Sequence, residues 1–441
     1  MKKLFFLLIV FAVGNCITTQ AQNFLGTKAL YVVPTGQLTA APAGYQPVFI
    51  NHVGRHGARH LTKEVSTSYA YATLIRADSM HALTPKGQAL LQMVKALDKV
   101  EKGKVKSISA EGIAELQEIG QRMYANYQPV FTDAAGLNVT ETKEIRTKQS
   151  ADAFLAGLKK YWRKEPAIKE HIDDINLRFY DLSPVYKQFE EDGEWVKYRE
   201  AIAIQTHLDP VNKTITQRLF APAFLKTLKA GDRDKFVGDI FGFATITYSL
   251  KQEIQQAGFQ PANTAFIGLF TPAEIKVLSQ LDQADDYYVK GPGIDGNGIQ
   301  VRIAAPLLAN FITTADEFIK TGTYNAQLRF AHAETISPFA TLLGISIASR
   351  STKGIDIMSA WQSSTIIPLS ANIQWIFYKN AAGNYLVKIL LNEKEVRING
   401  MSGATSPYYQ WTDLRKFYME KLQAMHVSLD DDMNAYLQNV K

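Results

Sequence analysis

The 441-residue sequence predicts an α/β fold carrying an inserted, mostly α-helical domain. Strand-like apolar runs alternate with helical periodicity at both ends of the chain, the pattern of a sheet flanked by helices. Between residues 161 and 300 that alternation stops and the periodicity becomes mostly helical. No internal repeat, low-complexity tract or long linker separates the parts. Residues 23–160 and 301–441 are therefore assigned to one α/β core, and 161–300 to an inserted cap.

Residues 1–22 stand apart. Lys2 and Lys3 precede the apolar run Leu4–Val13, and Thr19-Gln20-Ala21 follows. This is the pattern of a secretory signal peptide cleaved after Ala21. The run is too short for a stable transmembrane segment. A competing reading makes Cys16 a lipidated N-terminus. Cys16 is the only cysteine, so an exported chain would have no disulfide and must rely on core burial. The expectation is export in a bacterium, to the periplasm, the cell surface or the medium.

The core elements follow in order. Val48-Phe49-Ile50 reads as a strand running into a glycine-containing turn. Glu64 to Arg76 reads as a helix, and Leu83-Thr84-Pro85 starts another with proline in its first turn. Ala110 to Tyr127 is a third, with Ile113, Leu116 and Ile119 on one face. Leu137 to Ile145 looks extended, and Ser150-Ala151-Asp152-Ala153-Phe154 opens a helix. Past the cap, Gln327–Ala331 is a short strand and Ser337-Pro338 starts a helix. Ile373 to Leu391 is a hairpin around Ala381-Ala382-Gly383-Asn384. In such cores ligands bind beyond the carboxyl ends of the strands.

Composition narrows the function classes. The chain is 46% hydrophobic and 20% charged, ordinary for a globular protein. Its formal charge of +6 is mild, and no Lys/Arg block of the kind that binds nucleic acid is present. A slightly basic solvated surface and a local basic pocket for a polyanion both fit.

The chemistry concentrates in Arg55-His56-Gly57-Ala58-Arg59-His60. A neutral imidazole between two arginines suits attack on a phosphoryl group, because guanidinium forks hold phosphate oxygens. His52, His56 and His60 are spaced as metal ligands on a helix would be, but Gly54, Gly57 and the preceding strand argue against convergence. His332-Ala333-Glu334 follows a predicted strand. His332 could bind a phosphate oxygen and Glu334 could protonate a leaving oxygen; taken alone, the pair equally reads as a surface ion pair. Arg146 lies at a strand-to-helix junction where oxyanions bind. By itself it equally reads as a surface cation beside Glu144 and Asp152.

Together these segments resemble the histidine acid phosphatases, the branch of the histidine phosphatase superfamily that includes phytases. Arg55-His56-Gly57-Ala58-Arg59 resembles that family's nucleophile motif. Arg146, four residues before Ser150, resembles its third phosphate-binding arginine. His332-Ala333-Glu334, in place of the commoner His-Asp, is similar to the multiple inositol polyphosphate phosphatase subfamily. So are Arg178-Phe179-Tyr180-Asp181, Phe270-Thr271-Pro272-Ala273-Glu274, Asp286-Tyr287-Tyr288 and Leu391-Asn392-Glu393. Leu61 stands where the family has proline, and Ser183 marks a position where it has cysteine.

The resemblance implies a histidine-phosphatase core sheet and a metal-free, cofactor-free phosphomonoesterase acting on inositol polyphosphates. It implies His56 as nucleophile, Glu334 as proton donor, and Arg55, Arg59, Arg146 and His332 as the phosphate clamp. His60, Arg178 and Lys290 are candidate substrate contacts, and a monomer is expected. A broad acid phosphatase and a non-catalytic polyanion-binding protein are the alternatives.

Overall fold

The computed structural model describes residues 23–132, 135–162, 165–401 and 407–440. The expected signal peptide and Cys16 lie outside the described residues. Eight strands form one sheet in the order β3-β2-β4-β1-β5-β6-β7, with β8 also paired to β6. They are β1 (Gln46–Arg55), β2 (Gly136–Glu141), β3 (Ala167–Ile172), β4 (Ala326–Ala331), β5 (Asn372–Lys379), β6 (Tyr385–Leu391), β7 (Lys394–Glu395) and β8 (Tyr408–Gln410). β1 to β4 run parallel, and β5 turns antiparallel against β1. β1 and β4 are buried almost throughout, as parallel strands covered on both faces must be.

Ten helices matter for the site: α1 (Tyr69–Ser79), α2 (Pro85–Glu101), α3 (Ala110–Asn126), α4 (Ile145–Lys159), α5 (Leu208–Leu219), α6 (Ala230–Ile246), α7 (Pro272–Val289), α8 (Ala305–Thr321), α9 (Ala333–Leu342) and α10 (Trp411–Ala424). One face of the sheet, through Phe49, Val53, Ile373 and Trp375, packs on α8, α9 and α10. The other, through Ile50, Leu328, Phe330 and Ile376, packs on α3 and α4. A third apolar core joins α1 and α2 to α5 and α6. Among the described residues no helix is long and apolar enough to cross a membrane.

The structure redraws the boundaries expected at 161 and 300. Residues 167–172 read as part of a helical cap but form β3, paired in parallel with β2. Conversely, α1 and α2, read as core helices, share the core of α5 and α6. Phe179, Tyr186 and Tyr287, from the cap span, pack against the sheet's own core.

Three helix starts also move. The helix expected from Glu64 begins at Tyr69, where Ser68 caps it by accepting from the Tyr71 N–H. The helix expected to open at Ser150 begins at Ile145, so Arg146 sits in its first turn. The helix expected at Ser337 begins at Ala333 with His332 as its N-cap, leaving Pro338 inside it. The first start follows a serine cap that lies four residues beyond the expected start, whereas the other two follow Glu144 and His332, which make no side-chain cap.

Candidate active site

The parallel strands β1, β2 and β4 end side by side, and their carboxyl ends supply the site. β1 ends at Arg55, and the His56 N–H donates to the Ala331 carbonyl at the end of β4 at 3.0 Å. β4 leads directly to His332 and α9. β2 leads through Thr142 to Arg146 on α4. Residues far apart in sequence therefore converge because three neighbouring strands point the same way.

Ser150 ties two of these segments together. Its Oγ accepts the Gly57 N–H at 3.1 Å and donates to the Arg146 carbonyl at 2.6 Å. The four-residue spacing from Arg146 is thus the spacing of one helical turn. Gly112 of α3 packs onto the Ala58 backbone so closely that a Cβ there would clash with both the Ala58 nitrogen and oxygen. The turn after β1 is therefore clamped from both sides.

His56 is buried, and its Nδ1 lies 3.0 Å from the Gly57 carbonyl oxygen. A carbonyl only accepts, so Nδ1 carries the proton and Nε2 keeps its lone pair. Burial, then the charges of Arg55, Arg59 and Arg146, push the His56 imidazole well below its usual range. It is a neutral base ringed by cations.

Arg55 donates from Nη1 to the carbonyls of Thr27 and Ile367, both at 2.6 Å. Arg59 donates to the His60 carbonyl at 2.7 Å. Burial, opposed for Arg55 by Glu334 and reinforced for Arg59 by Arg55, pushes both guanidinium groups down to about 10, still charged at neutral pH. The Nε atoms of Arg55, Arg59, Arg146 and Arg178 are buried without a hydrogen-bond acceptor. Buried donors of this kind are costly unless something accepts from them.

The His332 ring lies edge-on to His56, with centroids 5.6 Å apart. Arg146 Nη2 approaches its Nδ1 at 3.2 Å, and its Nε2 meets Thr142 Oγ1 at 3.0 Å. An arginine only donates, so Nδ1 accepts and Nε2–H donates to Thr142. Burial and Arg146 push this imidazole down to about 3. Both nitrogens are engaged by protein groups, an arrangement the sequence did not foretell for an expected phosphate ligand.

Arg178 and Arg146 share Glu144, at 2.7 and 2.8 Å, and Arg178 also pairs with Asp181. Against an opposing burial effect, these arginines pull the Glu144 carboxyl down to about 2. Lys290, at the carboxyl end of α7, bonds Glu334 Oε1 at 2.9 Å and Asp286 Oδ1 at 3.1 Å. Arg178 and Lys290 are therefore at the site, and neither is a free surface cation.

His60 departs from expectation. It is buried, with Nδ1 3.2 Å from Glu101 Oε2 and Nε2 3.9 Å from Glu253 Oε1. Its ring meets the carboxylates of Glu101 and Glu253, while its backbone carbonyl accepts from Arg59, so both ring nitrogens face protein groups. His52 packs against Phe154 and Phe330. The three imidazoles do not converge, and no group of three or more metal-ligating side chains is found among the described residues.

Sequence reasoning missed Thr142, the shared role of Glu144, and Asp286. The signals were Glu144 two residues before Arg146, the subfamily-like stretch that begins at Asp286, and the four-residue spacing of Asp286 from Lys290, at which helical pairs meet.

A histidine nucleophile position, guanidinium groups around it and a carboxylate at the next helix start define a phosphoryl-transfer class on an α/β sheet. The chain belongs to the histidine phosphatase superfamily, branch 2, whose family model matches residues 48–392. It is 22% identical over 424 residues to the Multiple inositol polyphosphate phosphatase 1 of Gallus gallus, covering 91% of this chain and 88% of that one. Against the protein of the same name from Homo sapiens, identity is 21% over 345 residues, covering 72% and 66%. The fold is similar to the Bifidobacterium longum Multiple Inositol Polyphosphate Phosphatase in complex with inositol hexasulfate. There the TM-score is 0.78 at 19% identity, covering 90% of this chain and 97% of that one. The phytase from D. castellii gives a TM-score of 0.66 at 18% identity, covering 91% and 85%. The chain is thus a phosphatase of the histidine type.

Proposed function

We propose that this phosphatase hydrolyses inositol polyphosphates, including the hexakisphosphate, through a covalent phosphohistidine at His56. The observation that carries the reading is a neutral, oriented His56 set in the field of Arg55, Arg59 and Arg146, whose buried Nε–H groups have no protein acceptor. Relatives named for inositol polyphosphates, one solved with inositol hexasulfate bound, support the substrate class.

In this reading His56 Nε2 attacks phosphorus in line with the leaving inositol oxygen. Arg55, Arg59 and Arg146 hold the equatorial oxygens and stabilise the charge there. As Arg146 turns to phosphate it releases His332 Nδ1. A phosphate dianion beside that ring raises its proton affinity, and the protonated ring then donates to an oxygen. Glu334 protonates the leaving alkoxide, help worth ~10²–10⁴-fold. Water then attacks the phosphohistidine, with Glu334 accepting its proton. Arg178 and Lys290 extend positive charge toward neighbouring phosphates. The chain acts as an exported monomer, outside the cytoplasm, without metal or cofactor.

The test is phosphate release from inositol hexakisphosphate, with acid-quench trapping of labelled phosphate. Wild type should release phosphate and carry label, and His56→Ala should do neither. Faster turnover of small phosphomonoesters than of inositol hexakisphosphate would favour a broad acid phosphatase. Binding without turnover would leave a polyanion-binding protein.

A further inference from the structure

The geometry points to Lys290 as a gate on the proton donor: it holds Glu334 as a carboxylate until a second phosphate of the substrate draws the ammonium away. This inference rests on the proposed function and deepens it. It makes a phosphate neighbouring the scissile one a requirement for rapid protonation of the leaving group, and not only for binding.

A general acid must carry a proton when the P–O bond breaks. In this structure Glu334 sits in the opposite state. Its Oε1 is 2.9 Å from Lys290 Nζ, and it occupies the first turn of α9, where the helix end favours a negative charge. Lys290 is only 15% exposed, and Asp286 at 3.1 Å fixes it from the preceding turn of α7. Arg55, at the end of β1, and Arg59, from the loop after it, also feel the charge of Glu334. Burial opposes ionisation, but Lys290 and His332 hold the Glu334 carboxyl well below the usual carboxylate range. Burial and the charge of Glu334 push the Glu190 carboxyl up, and push the Tyr180 phenol well above its usual range, so Tyr180 stays neutral. Lys290, bonded directly to Oε1, has the largest effect of the groups that keep Glu334 ionised.

Something in the catalytic cycle must therefore weaken the Lys290–Glu334 pair. The phosphate at His56 engages the arginines and offsets part of the positive field for any substrate. Only a substrate with a second phosphate supplies an anion that competes with Glu334 for Lys290 itself. Asp286 keeps the ammonium anchored within reach while its other partner changes. Once Lys290 turns to that phosphate, Glu334 takes a proton from solvent. It then gives that proton to the inositol oxygen as the His56–phosphorus bond forms and the phosphorus–oxygen ester bond breaks. A simple alkyl phosphate leaves Lys290 on Glu334, so its leaving group departs with less help.

Activity falls on the alkaline side as Glu334 loses its proton, so the alkaline limb of kcat against pH reports the gate. The experiment compares inositol hexakisphosphate with glycerol 2-phosphate, an alkyl ester without a second phosphate. Each variant is read against wild type on the same substrate, so the substrate's own ionisation cancels. Lys290→Gln should move the glycerol phosphate limb up by ~1 unit or more. The same variant should leave the hexakisphosphate limb nearly unmoved while raising its KM. Asp286→Asn removes the anion that competes with Glu334 for Lys290, and should move the glycerol phosphate limb down. Turnover of p-nitrophenyl phosphate, whose leaving group needs no proton, reads out folding and the nucleophile separately. Equal limb shifts on both ester substrates in Lys290→Gln, or shifts of the same sign in the two variants, would overturn the gate. Failure of wild type to release phosphate from inositol hexakisphosphate overturns the underlying function instead.

Discussion

Ser150 shows how one hydroxyl serves two motifs. It accepts the Gly57 N–H and donates to the Arg146 carbonyl, so it fixes the distance between the nucleophile turn and α4. Ser150→Ala leaves a buried N–H without an acceptor, a cost of ~1–3 kcal/mol. The expected outcome is a lower melting temperature and a kcat reduced about tenfold or more, because a small misplacement of catalytic groups is expensive. Unchanged kcat in a destabilised variant would confine Ser150 to structure. At this scale the residues singled out in short motifs, His56, Arg55, Arg59, Arg146, His332 and Glu334, are ones the structure gathers at neighbouring strand ends. It read poorly for His60, whose ring direction depends on Glu101, forty-one residues away.

The elements around the site are fixed by close approaches rather than by propensity. Gly112 of α3 meets the Ala58 backbone, and Gly157 of α4 meets the Gln117 backbone of α3. These two contacts set α3 and α4 against each other and against the turn that carries His56. Gly112→Ala forces a methyl into the Ala58 peptide, an overpacking cost of ~1–3 kcal/mol. Denaturant titration should show the lost stability, and the kcat/KM of the folded fraction should fall as the His56 turn shifts. Retention of full activity per folded molecule would mean that the turn absorbs the displacement. β3 escaped the sequence reading for a related reason. At the sheet edge its residues are mostly exposed on both faces, so Lys169, Glu170 and His171 give no alternation of apolar and polar positions.

Across the whole molecule, burying imidazoles among cations ties stability to pH. His52 and His332 are both pushed down to about 3, His52 by burial and Arg329, His332 by burial and Arg146. Unfolded, each would titrate near ~6.5. Below that value the unfolded chain binds protons that the native state refuses, so stability falls as pH falls from about 6.5 toward 3. Each histidine contributes up to about 1.4 kcal/mol per pH unit in that window. Melting temperature should therefore drop on acidification, and inorganic phosphate should restore part of it by binding the folded clamp. A melting temperature flat from pH 6.5 to 4.5 would contradict the buried neutral state of these rings.

The sequence by itself determined the chemistry. Arg55-His56-Gly57-Ala58-Arg59, Arg146 and His332-Ala333-Glu334 are local patterns at strand ends, and local patterns survive without knowledge of the fold. It also determined an α/β core bearing helical additions, because periodicity is written along the chain. Only the tertiary structure decided how the helices divide between the sheet and the cap. An amphipathic face shows that a helix is covered, not by what. Only the tertiary structure, too, decided which charge meets which. Lys290 meets Glu334 across forty-four residues and His60 meets Glu101 across forty-one, and such pairings are set by strand order and helix packing. They turned one candidate substrate contact, His60, into a buried partner of Glu101, and another, Lys290, into the partner of Glu334.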